Sequence, residues 1–328
     1  RDFCKDKLGE QSWRKNLRDA ALYYLNDSKI LKMNQNLVDA VFNELDAYEL
    51  YFEAGDYEDA AKIVIENHPY LDRWGFGRLL ESLYRKVLPW VKKETRAGII
   101  HNLGALLQNR GEYDAALQYY RDALKIAEEL GNRAGVAQSL HNIGAIHQDR
   151  GEYDAALKFY RDSLKIEKEL GDRAGVAQSL HQIGNIHYFR GEYDAALQYY
   201  RDSLKIEEEL GNRAGVAQSL HQIGIIHQER GEYDAALKFY RDSLKIAEEL
   251  GDRAGVASSH GQLGKLFTEQ KEYPEAFEHL MIALSLFVEM QSPYAKLAME
   301  DLKNLRTQWG AEKFEAAWKA KTGEKSPF

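Results

Sequence analysis

Ten histidines are the side chains here best suited to chemistry, because imidazole binds metals and exchanges protons near neutral pH. Six of them recur as pairs: His141/His147, His181/His187 and His221/His227. A spacing of six sets the two rings of a pair about 240° apart on a helix, so they cannot hold one ion together as an i,i+4 pair does. No Cys/His pairing, HExxH motif or Ser/His/Asp order accompanies them. The segment GQLGKL at 261–266 contains Gly-Lys without the spacing of a phosphate-binding loop, and it lies on a helical packing pattern. No catalytic residue, metal or cofactor is therefore expected. His101, His141, His181 and His221 form a ladder along one inner surface. They either bond to neighbouring Gln and Asn, touch a ligand, or respond mildly to pH near 6.5.

The elements that position these residues are repeats. Residues 96–290 restate one forty-residue block, and the copies beginning at Gly131, Gly171 and Gly211 are identical in 31 of 40 columns. A period of that length means a solenoid, whose units bury their apolar faces only by stacking on neighbours. Val176, Leu180, Ile183, Ile186 and His187 mark one face of a first helix, which Arg190-Gly191 ends. Tyr193, Ala196, Leu197, Tyr200, Leu204 and Ile206 mark a second, ended at Leu210-Gly211. Asn132, Asp172 and Asn212 are expected helix caps. Gly144, Gly184, Gly224 and Gly264, with Ala116, Ala156, Ala196 and Ala236, sit where two helices must approach closely.

Leu180, Ile183-Gly184, His187, Ala196, Tyr200 and Ser203 resemble, position by position, the small/large pattern of the tetratricopeptide repeat. The resemblance covers five units over 92–290 and implies an all-α, right-handed superhelical solenoid. Ordinary copies run about 34 residues. These forty-residue copies, with LKIxEELGxRAG in place of the usual Pro, resemble those of spindle adaptors, kinesin light chains and prokaryotic signalling proteins. The family's inter-helix aromatic slot falls on His147, His187 and His227, which implies core packing for them.

Outside the repeats, four helices are expected at 13–26, 35–54, 57–67 and 75–87. AGDYEDAAKIV reads as half of a degenerate repeat. With the run from Ala20 to Tyr24 and YLDRWGFGRLLESLYRKVLPW, it makes residues 1–91 resemble the helical region after the ATPase module of prokaryotic STAND-type signalling NTPases. Residues 291–328 read as capping helices, with Phe314 and Trp318 laid over the last unit. Chain start at Arg1 without Met reads as a fragment or processed product, and any nucleotide site would then lie outside this chain.

A net charge of −8 with interspersed signs argues against nucleic acid, and the lack of any apolar run near 18 residues argues against a membrane. A single Cys fits a reducing, cytoplasmic setting. Recognition is expected where the copies disagree. Four of their nine variable columns lie on one side of the first helix: Asn142/Gln182/Gln222, Ala145/Asn185/Ile225, Gln148/Tyr188/Gln228 and Asp149/Phe189/Glu229. The resemblance places the last three columns on the concave face, where family members hold peptides or proteins. The candidate ligand-binding set is those three columns with His141, His181 and His221. Tyr188-Phe189 stands out as an aromatic anchor. Drift among recent duplicates, packing on a neighbour, or self-association through the exposed patch are the alternatives. The leading expectation is the ligand-sensing region of a STAND-type NTPase in signalling or antiphage defence. A constitutive adaptor and a consensus-like engineered scaffold are the other readings.

Overall fold

The computed structural model describes residues 10–33 and 36–328, so Cys4 and Gln35 lie outside the described residues. Among those described, sixteen α-helices and one 3-10 turn make up the regular structure, with no strand. Four helices precede the repeats: α1 (Glu10–Met33), α2 (Leu37–Ala54), α3 (Tyr57–Arg73) and α4 (Gly77–Val87). The repeats follow as α5 (Lys93–Asn109), α6 (Tyr113–Glu129), α7 (Arg133–Asp149), α8 (Tyr153–Leu170), α9 (Arg173–Phe189), α10 (Tyr193–Leu210), α11 (Arg213–Glu229), α12 (Tyr233–Leu250), α13 (Arg253–Glu269) and α14 (Tyr273–Glu289). Two helices, α15 (Tyr294–Trp309) and α16 (Ala311–Thr322), close the chain.

Two of the four early helices run longer than their apolar pattern predicts. α3 continues six residues past Asn67 and through Pro69, whose ring lies on the exposed side, clear of the packed face. α1 extends to Met33, and α4 starts two residues late, after the left-handed Gly75.

The chain forms two compact units, one ending at Ile166 and one starting at Glu167. In the first, α1 packs on α2, α2 on α3, α5 on α6 and α6 on α7. In the second, each helix from α9 to α15 packs on the next. Within a repeat, the first helix is capped by the side chain of Asn132, Asp172, Asn212 or Asp252. Each accepts from the backbone N–H three residues on, at 3.0 to 3.3 Å. It ends in a Schellman turn. At α9, Gly191 (φ 72°) donates to Tyr188 O at 2.8 Å and Glu192 to His187 O at 2.9 Å.

The helix-interior glycines answer a packing need. A Cβ on Gly184 would stand 2.8 Å from the Tyr200 ring, and Tyr200 is fully buried. The ridge of α10 therefore meets bare backbone, and the whole aromatic ring is removed from water. In the last unit, Phe314 and Trp318 are buried against Phe277, Leu280 and their neighbours, so α15 and α16 cover an apolar face that would otherwise be open.

Candidate functional site

Several residues identical in every full copy are absorbed by the scaffold. Arg150 reaches back one repeat to Asp114 at 2.5 Å, and Arg230 does the same to Asp194 at 2.6 Å. Arg173, Arg213 and Arg253 pair with Glu209, Glu249 and Glu289 within their own units. His147, His187 and His227 lie flat on Phe159, Tyr199 and Phe239, with centroids 5.2 Å apart, and each points Nδ1 at the glutamate five residues on. Core packing is thus the role of the second histidine of each pair.

His141, His181 and His221 are half-buried, each tilted against Tyr160, Tyr200 or Tyr240 at 5.1 to 5.6 Å. Burial pushes all three imidazoles down to about 4, so they are neutral at physiological pH and do not titrate near 6.5. In the second unit, His181 and His221 line a cavity of about 510 Å³ with Gln182, Gln218, Gln222 and Ser258. A counterpart of about 600 Å³ in the first unit is lined by His101, Asn102, Gln138 and Ser139. His101 there meets Asn142 Nδ2 at 3.1 Å and Gln138 Nε2 at 3.4 Å. Gln138 and Gln218 were invisible to a search for columns that vary, because every full copy keeps Gln there. Their spacing, three residues before the ladder histidine, was the available signal.

The variable columns are chemically linked. Tyr120, Tyr160 and Tyr240 are buried, and each hydroxyl donates to the side-chain oxygen of Gln108, Gln148 or Gln228 at 2.8 to 3.1 Å. The central copy has Tyr188 in place of that glutamine. Its Tyr200 hydroxyl donates instead to Asn185 Oδ1 at 2.6 Å, and Asn185 Nδ2 in turn donates to Gln182 Oε1 at 2.8 Å. A buried hydroxyl without an acceptor costs about 1–3 kcal/mol, so Asn185 supplies what Tyr188 took away. The equivalent residues Ala145 and Ile225 have no such task, because their units retain Gln148 and Gln228; Ile225 is half-buried against the C-terminal core.

The same glutamines bridge successive repeats. Gln108 Nε2 donates to Asp149 Oδ2 at 2.9 Å, and Gln228 Nε2 to Glu269 Oε1 at 2.8 Å. At the corresponding step in the second unit, Tyr188 faces Glu229. Burial first, then that carboxylate, holds the Tyr188 hydroxyl above its ordinary range. Tyr188 is half-buried beside Tyr193 (5.9 Å) on the cluster of Leu197, Tyr200, Ile223 and Ile226. Phe189 meets it edge-on at 5.7 Å and remains 54% exposed. Asp149 and Glu229 are exposed beside the half-buried Gln148 and Gln228. The twelve candidates thus divide. His181 and His221 belong to the cavity they share with Gln182, Gln218 and Gln222, whereas Tyr188-Phe189 stand two helical turns beyond His181 along α9, about 10 Å away along the axis.

Among the described residues, no three His, Cys, Asp or Glu converge as a metal ion requires, and no helix is long and apolar enough to cross a membrane.

A tetratricopeptide repeat family model matches residues 95–169, 144–209 and 215–287. No curated protein matches the sequence. Among solved structures, the chain is similar to a Pyrococcus horikoshii signal transduction ATPase with numerous domains that carries a tetratricopeptide repeat sensor: 16% identity, TM-score 0.67, covering 92% of this chain and 46% of that one. It is similar also to the apo quorum sensor NprR of B. thuringiensis, at 18% identity and TM-score 0.62, covering 92% and 85%. A Rap protein complexed with competence and sporulation factor matches at 14% identity and TM-score 0.58, covering 93% and 99%.

Proposed function

Because this chain belongs to the tetratricopeptide repeat family, we propose that it is a non-catalytic recognition solenoid whose inner face takes a protein or peptide, with Tyr188 and Phe189 as the anchor. The observation that carries this reading is the linked exchange at Tyr188 and Asn185. Independent drift to Tyr at 188 would strand the Tyr200 hydroxyl, yet Asn185 accepts it at 2.6 Å. An aromatic residue has been accommodated on this face at no loss to the core, and a half-exposed Phe189 stands beside it. Aromatic side chains of this kind dominate interface energetics.

The finer reading is a ligand-sensing region of a STAND-type signalling ATPase, acting in the cytoplasm in signalling or defence. It is supported by the fold likeness to the sensor-bearing Pyrococcus protein, of whose length this chain spans under half. Finding a phosphate-binding loop encoded upstream of Arg1 in the same gene would support it; its absence there would leave a free-standing adaptor.

Selection of a random dodecapeptide display library on the chain tests the recognition reading, with counter-selection on Tyr188→Ala/Phe189→Ala. Enriched peptides carrying an apolar anchor and lost on the double variant are expected. No enrichment, or peptides that bind the variant equally, would contradict it.

A further inference from the structure

The histidine ladder breaks at its last rung. In α7, α9 and α11 an imidazole lies on a buried tyrosine of the following helix. In α13 the histidine position is Gly261 and the tyrosine position is Leu280. Two rings are missing together, and a cleft of about 220 Å³ opens beside Gly261.

Packing does not impose this glycine. A Cβ on Gly261 would come no nearer than 4.0 Å to any neighbour, whereas one on Gly264 would meet Leu280 at 2.5 Å. Glycine is among the least favourable residues for a helix interior, so at 261 what it provides is space.

The cleft has two chemistries. Phe287, Leu297 and Ala298 give it an apolar wall, and Leu297 and Tyr294 are 46% and 60% exposed at its mouth. Lys265 and Asp301 also line it, 3.6 Å apart, which is beyond hydrogen-bond length, with Asp301 one helical turn past Leu297. Burial holds the Asp301 carboxyl above the usual carboxylate range; Lys265 offsets only part of that, and Glu300 adds to it. Asp301 is thus a part-buried carboxylate that Lys265 neutralises only in part. The volume suits one side chain with its adjoining backbone and falls below that of most drug-sized pockets.

We infer that this cleft takes the amino-terminal residue of an extended peptide, its apolar side chain against Phe287 and Leu297 and its α-ammonium on Asp301. The inference rests on the recognition reading above and adds a terminus and a polarity to it. Charge complementarity selects the amino end: the more buried member of the charged pair is the acid, Asp301, and Glu300 reinforces it.

Leucinamide, which carries an ammonium and an isobutyl group but no carboxylate, is the probe, read by saturation-transfer NMR on the whole chain. Binding is expected for leucinamide and not for N-acetyl-leucinamide. Asp301→Asn and Gly261→His should each weaken it about tenfold or more. Asp301→Asn removes the charge, and Gly261→His refills the cleft with the ladder's own side chain. Thermal melting of both variants is recorded to establish that they fold; Gly261→Ala, which fills less of the space and favours helix, serves as a second variant. Equal binding of the acetylated probe, undiminished binding by Gly261→His, or no leucinamide binding to the wild type would overturn the assignment. Because a single-residue probe never reaches Tyr188, this result is independent of the library selection: selected peptides indifferent to N-acetylation would sink the terminal site alone and leave the groove reading standing.

Discussion

At the residue scale, Asn185 is the position whose meaning changes most. Its sequence marks it as a recognition residue, because the column reads Ala, Asn, Ile. Its geometry makes it the acceptor for a buried hydroxyl. Asn185→Ala should cost about 1–2 kcal/mol in urea unfolding, and restoring Gln through Tyr188→Gln in the same chain should recover most of that loss. Additive losses in the double variant would contradict the hand-over. A second residue-scale expectation concerns Lys271. It occupies the left-handed turn position (φ 63°) that glycine fills in the four preceding units, and its N–H still makes the turn bond to Thr268 O at 3.1 Å. Lys271→Gly should therefore stabilise the chain by about 1 kcal/mol, seen as a higher urea midpoint. A lower midpoint would mean that the Lys271 side chain contributes more than its backbone strain costs.

At the scale of elements, the helices were legible because their signals are local. The 3.6-residue apolar period, the Asn/Asp caps and the turn glycines each act within a few residues, so α5 to α14 could be read directly. The close contact of Gly184 with Tyr200 was legible as a need for small residues, though not as a particular ring. Gly184→Ala tests it: helix propensity favours alanine, yet overpacking against Tyr200 at 2.8 Å should destabilise the chain by about 1–3 kcal/mol. A neutral or stabilising result would show that the ring can retreat. The Tyr200–Asn185 bond was not legible, because it joins helices through side chains fifteen residues apart in a direction that periodicity does not encode. The division between the His/Gln cavity and the aromatic pair was hidden for a related reason. A shared helix face says nothing about depth along the axis.

At the scale of the whole molecule, buried histidines set a pH response. The folded chain holds His141, His181 and His221 with pKa values of about 4, below the ordinary 6.5. The unfolded chain therefore binds more protons between those values. Stability should be level above about pH 6.5, fall as pH drops from there toward 4, and gain no further histidine penalty below that. Lowered values for His68, His101, His260 and His279 act in the same sense. Urea midpoints at pH 7, 6 and 5 should decline steadily; a flat series would mean that these rings are solvated in the fold.

A recognition solenoid with one aromatic anchor makes an unequal demand on its repeats. For a peptide drawn from the library selection, fluorescence anisotropy against Tyr188→Ala/Phe189→Ala and against the matched pair one unit earlier, Gln148→Ala/Asp149→Ala, measures that inequality directly. Affinity should fall at least about tenfold for the first variant and within about twofold for the second, with melting temperatures recorded for each. Equal losses in both would contradict an anchor at Tyr188-Phe189 and spread recognition evenly along the repeats.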